Sequence, residues 1–219
     1  MYRSVLNIPG GIKFVHHFAK PMNAERGRPR SFDPEIALDR ATEVFWRHGF
    51  RGASLAELTE ATGLSKPSLY AAFGDKEALF LRCLQRYAQR YVAFQTALLD
   101  EETDTRRAVE GFLRAIVALQ GDPKLPGGCM VVTGSADCGT AIPAAVDAAL
   151  RSAAGSTEQR LLQRLQKDGQ ADARQLATLF STVLTGTAVM AKSGQPLEKL
   201  QAAVDAAMLA WPAEAKRKR

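Results

Sequence analysis

Three polar side chains occupy outward-facing positions of a short helix predicted within the first third of the chain. They are Lys66, Ser68 and Tyr70, which carry an ammonium, a hydroxyl and a phenol. Groups of this kind form hydrogen bonds with phosphate oxygens and with the edges of nucleobases, and a positive charge adds attraction to a phosphate backbone. Leu69 and Phe73 of the same helix are apolar, so we expect them to point inward and hold the polar face outward.

Two short helices must position these groups, and the sequence supplies start and stop signals for both. Residues 54 to 73 have the sequence SLAELTEATGLSKPSLYAAF. Ser54 is a good N-cap, and Glu57 three residues later completes a capping box. Gly63 provides the left-handed residue that ends a helix. Ser65 then caps the second helix, and Pro67 suits its first turn, where an amide has no partner. Two helices joined by a tight turn are typical of a helix-turn-helix.

A longer helix is predicted before this pair, and another begins after it. Asp33 and Pro34 form a cap and a first helical residue, apolar residues then recur at helical spacing, and Gly49 is expected to end the helix. After the pair, residues 74 to 77 restart a helix with Lys76 in its first turn. Three capped helices in this order are a stronger signal than a single helix-turn-helix match.

Residues 44 to 80, VFWRHGFRGASLAELTEATGLSKPSLYAAFGDKEALF, resemble the TetR-type family of bacterial transcriptional repressors. The resemblance implies an all-α fold with an N-terminal three-helix DNA-binding domain containing the helix-turn-helix, residues 32–78 (the head). It also implies a C-terminal helical ligand-binding and dimerisation bundle, residues 79–212 (the body). Family positions that commonly touch DNA match Ser54, Ser65, Lys66, Ser68, Tyr70 and Lys76. Ala71 and Ala72 depart from the family, which often has an aromatic residue or His there, and this removes a candidate phosphate contact.

The function that the resemblance implies is sequence-specific DNA binding in transcription regulation. The expected form is a ligand-released repressor that acts as a homodimer on a palindromic operator, with double-stranded DNA as its partner. Two alternatives remain open at this point. One is a basic architectural protein that coats DNA without sequence choice, and the other is a regulator that senses oxidants through its thiols.

Positive charge is concentrated at the two ends of the chain. The 219 residues carry a net charge of +6, and residues 1–30 hold six Lys or Arg against one acid. Residues 26–31 form a basic arm in which Arg28 and Arg30 flank Pro29, a stiff segment suited to a narrow A·T-rich minor groove. The alternative for this arm is a solvated, disordered leader. We expect the basic tail, residues 213–219, to be solvated.

Residues 1–25 are interpreted as a flexible leader. The segment has no sustained apolar region and no membrane-spanning run, so we expect neither a signal peptide nor a membrane partner. We therefore expect the protein to be cytoplasmic. Met22 lies just before the basic arm and is an alternative start to Met1.

The body is predicted to hold a small-molecule effector and a dimer interface. A long helix is predicted from Glu77 to about Asp100, and the resemblance implies that such a helix connects the head to the body (the connecting helix). Family members bind small, often apolar molecules between this helix and the central helices, so we expect an apolar or aromatic effector. The candidate lining residues are Tyr87, Tyr91, Phe112, Ile116, Met130, Phe180 and Met190. The last two helices are expected to form a four-helix dimer seam through Phe180, Leu184, Val204, Met208 and Trp211. The alternative for both sets is that these side chains fill the core of their own subunit.

Other kinds of chemistry find little support in the sequence. There is no Ser-His-Asp arrangement, phosphate loop or dinucleotide fingerprint, so we predict no enzyme activity and no cofactor. The three histidines do not suggest a metal site. Cys83, Cys129 and Cys138 suit a reducing compartment, and we expect buried structural thiols more than a sensor.

Overall fold

The structure is a computed structural model that describes residues 32–139 and 141–212 in full and residues 5–7 and 13–15 by their backbone. Contacts divide the chain into two units, residues 1–33 and 34–219. In the first unit, β1 (Val5–Asn7) and β2 (Lys13–Val15) form an antiparallel pair with Val5 opposite Val15. This pair lies within the segment interpreted as a leader, where no strand was predicted.

The second unit is helical throughout its regular elements, which confirms the predicted all-α class. A π-helical turn, Ala88–Val92, joins the helix Lys76–Tyr87 to the helix Ala93–Glu101, so the predicted long connecting helix is continuous but locally widened by this turn. None of the described helices combines the length and apolarity that crossing a membrane requires. The α-helices are α1 (Pro34–Gly52), α2 (Leu55–Thr62), α3 (Lys66–Phe73), α4 (Lys76–Tyr87), α5 (Ala93–Glu101), α6 (Thr105–Gln120), α7 (Met130–Ser135), α8 (Ala144–Lys167), α9 (Ala173–Lys192) and α10 (Leu197–Met208).

The local signals for the helix-turn-helix are confirmed in detail. Ser54 and Glu57 form the reciprocal capping box at the start of α2, and Gly63 ends the helix with φ 70°. The hydroxyl of Ser65 accepts a hydrogen bond from the main-chain N–H of Ser68 and caps α3. Leu69 and Phe73 are buried, as the spacing predicted.

Helix α1, the first helix of the head, packs against α4 through two adjacent aromatic residues. Phe45 and Trp46 are both fully buried. The ring of Phe45 meets Phe80 edge to face with centroids 5.0 Å apart, whereas Trp46 meets Tyr87 with centroids 4.8 Å apart. Successive residues of an α-helix point about 100° apart, so neighbouring aromatic residues can serve two clusters.

Three segments differ from the simplest sequence-based expectation. The predicted helix end at Gly49 is a break with φ 70°, after which α1 continues for another turn. The short apolar segment after Cys129, whose sequence suits either a helix or a strand, forms α7. Helix α8 passes through Gly155 without interruption, although glycine is a weak helix former.

The core of the body lies between α6, α8, α9 and α10. Phe112, Leu161, Phe180 and Val204 are among its fully or nearly fully buried members. Several buried polar side chains of this region donate hydrogen bonds to backbone carbonyl oxygens. For example, the guanidinium of Arg164 is buried and donates to the carbonyl oxygens of Glu102 and Thr103 at 2.8 and 3.0 Å, which fixes the α5–α6 turn.

Candidate nucleic-acid interface

Helix α3 presents its polar residues on the surface while its apolar residues anchor it. Lys66, Ser68 and Tyr70 are exposed, whereas Leu69 is fully buried. The ammonium of Lys66 lies 5.7 Å from the centroid of the Tyr70 ring, so the two side chains share one face at the i, i+4 spacing. An exposed phenol and an ammonium on one rigid face form a surface that can contact both base edges and phosphates.

The two capping serines are engaged within the chain. The hydroxyl of Ser54 donates to Glu57 Oε2 at 2.7 Å and accepts the main-chain N–H of Glu57 at 3.1 Å. The main-chain N–H of Ser54 also donates to Glu57 Oε2 at 2.8 Å, and this bond, followed by the one from the hydroxyl, lowers the pKa of the Glu57 carboxyl. The hydroxyls of Ser65 and Ser68 lie 2.9 Å apart. A phosphate that approaches Ser54 therefore competes with a carboxylate for the hydroxyl hydrogen.

Lys76 is held at the start of α4 by an aromatic ring. Its ammonium lies 4.9 Å from the centroid of Phe50, and Phe50 in turn packs edge to face on Phe80 at 5.4 Å. Burial lowers the pKa of Lys76, and the charges of Asp137 and Glu57 oppose that effect. A lysine restrained in this way presents its charge at a defined place, which suits contact with a fixed phosphate.

The remaining predicted DNA contacts, Arg28 and Arg30, belong to the basic arm, which lies outside the described residues, as does the basic tail. Their role stays a prediction. Of the two positions that depart from the family pattern, Ala71 is exposed and Ala72 is half-buried. Neither methyl group can replace the phosphate contact of an aromatic or imidazole side chain.

Comparison with known proteins agrees with this geometry. The family described as bacterial regulatory proteins, tetR family, matches residues 37–83. The chain is 36% identical over 197 residues to the HTH-type transcriptional repressor ComR of Escherichia coli K12, covering 85% of this chain and 92% of ComR. It is 31% identical to the repressor BdcR of the same organism, covering 80% of this chain and 86% of BdcR. The chain belongs to the tetR family.

A solved structure extends the match to most of this tetR-family chain. A cysteine mutant of the TetR family regulator CifR, complexed with 26-bp double-strand operator DNA, is 41% identical with a TM-score of 0.80. The match covers 84% of this chain and 100% of that one. The protein is thus a sequence-specific DNA-binding transcriptional regulator, as the helix-turn-helix predicted.

The predicted effector-lining residues fall into two separate groups. Phe112, Ile116, Phe180 and Met190 belong to the core between α6, α9 and α10.

Tyr87 and Tyr91 instead surround Trp46, with ring centroids 4.8 and 5.2 Å from it. The phenol of Tyr87 reaches Cys129, the residue before Met130, at 3.5 Å. Because the groups are distinct, the described structure does not join all seven side chains in one lining.

The side chains predicted for the dimer interface pack within the described subunit, and their part in a dimer stays a prediction. Phe180 and Val204 are fully buried, and Leu184 and Met208 are each 5% exposed, all in the core of the body. Trp211 stacks on Phe180 with centroids 6.4 Å apart. An apolar helix face satisfies the same periodicity whether it meets its own chain or a partner, so spacing alone did not distinguish the two.

Two of the cysteines lie where ionisation is disfavoured. Burial raises the pKa of the Cys83 thiol to about 12. Burial, followed by the neighbouring Asp147, raises the pKa of Cys138. Since the thiolate is the reactive form, these surroundings oppose oxidation chemistry at both sites. Cys129 accepts a hydrogen bond from Tyr87, and thiol sensing stays an untested prediction.

Two single substitutions should separate base recognition from backbone contact. Lys66→Ala is expected to relax discrimination at one operator position by about 1–3 kcal/mol, because a base-edge contact is lost. Lys76→Ala should instead weaken binding to all duplexes similarly and reduce the slope of log affinity against log salt by about 1. Fluorescence anisotropy with operator, mutated operators and random duplex measures both effects.

Lys124→Ala provides the matched control, because Lys124 is an exposed lysine in the α6–α7 loop of the body. It should leave operator affinity and its salt dependence unchanged. Identical profiles for the Lys66 and Lys76 variants would contradict the division of roles.

Proposed function

We propose that this regulator is a homodimeric repressor that binds a palindromic operator and leaves it when a small molecule binds the body. The observation that carries the proposal is the capped helix α3, anchored by buried Leu69, with Lys66, Ser68 and Tyr70 exposed. Support comes from the repressors ComR and BdcR, which resemble this chain over most of its length. Operator DNA bound to the similar CifR gives further support.

In this proposal the head divides its contacts between bases and backbone. Lys66 and Ser68 contact base edges in the major groove, where donor and acceptor patterns differ among base pairs. Tyr70, Lys76 and the two capping serines, Ser54 and Ser65, contact phosphates and set the position of the helix. Arg28 and Arg30 extend the contact into the adjacent minor groove.

Dimerisation follows from the size of the DNA site. One head covers a half-site, and a two-fold dimer places its two recognition helices, the two copies of α3, about 34–36 Å apart in successive major grooves.

The exposed faces of α9 and α10 provide the candidate interface. Leu179, Gly186 and Val189 lie on one exposed face of α9, with Leu179 37% and Val189 56% exposed. Leu209, immediately after α10, is 85% exposed. These residues are proposed as partner contacts in addition to the buried set.

The double substitution Leu179→Glu with Val189→Glu should convert the dimer to monomers, because two charges on this face would be buried against a partner without compensation. Sedimentation velocity measures the change, and operator affinity should fall with it. Ile36→Glu is the control, since Ile36 is an exposed aliphatic residue of the head at 51% exposure. Dimers that persist in the α9 variant would place the interface elsewhere.

The proposed effector is an apolar or aromatic molecule that enters the body beside the connecting helix. The aromatic group around Trp46 links that helix to α1, so a ligand that separates these rings also moves the head. A ligand releases the operator only if it binds more tightly to the DNA-free arrangement of the protein than to the DNA-bound arrangement. We expect the regulator to act in the cytoplasm and to have no enzyme activity.

Selection of genomic fragments by the purified protein tests the proposed function. We expect recovery of one or a few palindromic sites that bind about 10³-fold or more tightly than random duplex. The Lys66→Ala, Tyr70→Ala double variant should fail to recover them, while the Lys124→Ala variant should succeed. Equal affinity for operator and random duplex would refute the proposal and favour the architectural alternative.

A further inference from the structure

The break in α1 is held by two side chains from the body. At Gly49 the backbone takes φ 70° and ψ −174°, which interrupts the regular helical hydrogen bonds. Lys192, the last residue of α9, donates from its ammonium to the carbonyl oxygen of Trp46 before the break at 3.3 Å. The main-chain N–H of Arg51 after the break donates to Asp137 Oδ2 at 3.0 Å. A cation thus meets the carbonyl side of the break, and a carboxylate meets its amide side.

The local backbone is shaped to admit this carboxylate. A Cβ at Gly49 would lie 3.0 Å from Asp137 Oδ2 and 3.6 Å from the carbonyl oxygen of Thr133. The positive φ is also a conformation that other L-residues adopt at a disadvantage. Glycine therefore allows both the turn of the chain and the close approach of Asp137, which lies 86 positions away from Arg51 in the sequence.

The docked turn leads directly to a proposed DNA contact. Phe50 lies between Gly49 and Arg51, and its ring supports the ammonium of Lys76 at 4.9 Å. The same ring packs on Phe80 at 5.4 Å, so its position depends on both the α1 turn and α4. A continuous set of contacts thus runs from Asp137 through the Arg51 amide and Phe50 to Lys76.

We propose that Asp137 is a positioning residue for DNA binding. It holds the last turn of α1 so that Phe50 keeps the Lys76 ammonium where it meets an operator phosphate. This inference rests on the proposed phosphate contact of Lys76. It gives the body a route to that contact through the last turn of α1, in addition to the route along the connecting helix.

The sign of the effect distinguishes positioning from simple charge. A carboxylate near DNA repels phosphates. If Asp137 affected binding only through its charge, its removal would strengthen binding to every duplex, most of all at low salt. Positioning predicts the opposite for the operator, because a displaced Lys76 loses its phosphate contact. The negative charge of Asp137 also raises the pKa of Lys76 against the lowering effect of burial, which helps to keep the lysine protonated.

A double-mutant cycle on the full chain tests the proposal with the operator duplex found by genomic selection. Asp137→Ala is expected to weaken operator binding at least about threefold and to lower the salt slope by about 1. The Asp137→Ala, Lys76→Ala variant should bind within about twofold of Lys76→Ala alone, because both changes remove one contact. Asp137→Asn keeps an oxygen that can accept the Arg51 N–H, so it should retain most of the wild-type affinity.

Asp122→Ala is the matched control. Asp122 Oδ1 also accepts a main-chain N–H, that of Lys124 at 2.9 Å, but the contact is local to the α6–α7 loop. The control should leave operator binding unchanged, and thermal unfolding of every variant confirms that the folded state is being compared.

Three results would overturn the proposal in distinguishable ways. Stronger or unchanged operator binding by Asp137→Ala, with weakened binding by Lys76→Ala, refutes the role of Asp137 alone. Independent, additive losses from the two substitutions refute the path through Lys76. Unchanged binding by Lys76→Ala refutes the proposed phosphate contact and, with it, the positioning role.

Discussion

The architecture depends on the packing of α1 against two sets of partners at once. Phe45 and Trp46 are adjacent and fully buried, yet Phe45 contacts Phe80 in α4 while Trp46 contacts Tyr87 at the end of the same helix. Because interiors are close-packed and aromatic contacts have specific geometry, α1 cannot rotate without disturbing both. The ion pairs of Arg86 with Glu35 and Asp39 join the same two helices on the surface. The orientation of the head thus follows that of the connecting helix.

This shared support matters because the two helices of the helix-turn-helix are short. Helices α2 and α3 have eight residues each, a length that is marginal for an isolated helix in water. Caps supply local hydrogen bonds, while buried Leu58, Leu69 and Phe73 supply tertiary packing. The outer face of α3 is then free for polar residues that contribute to recognition more than to folding. In this way a small head presents a rigid surface to DNA.

The features that the sequence predicts correctly are those determined by local forces. Capping at Ser54 and Ser65 and the left-handed Gly63 involve neighbours within a few residues, and they were predicted as observed. For the proposed dimer contacts the sequence could not distinguish a subunit core from an interface, since the apolar spacing of Phe180 and Val204 suits both. The π turn has no simple residue pattern, and the contact of Asp137 with Arg51 joins distant parts of the chain. Gly49 indicated that α1 is interrupted at this position, but the sequence did not indicate that Asp137 contacts the chain there.

Methylation interference on the operator provides the most direct test of the central claim that two copies of α3 enter successive major grooves. Methylation at guanine N7 modifies the major-groove edge, so it should block binding wherever the recognition helix contacts the base. The account predicts two symmetric clusters of interference, with centres about 10–10.5 base pairs apart. Interference that is absent, or spread evenly along the duplex, would contradict it.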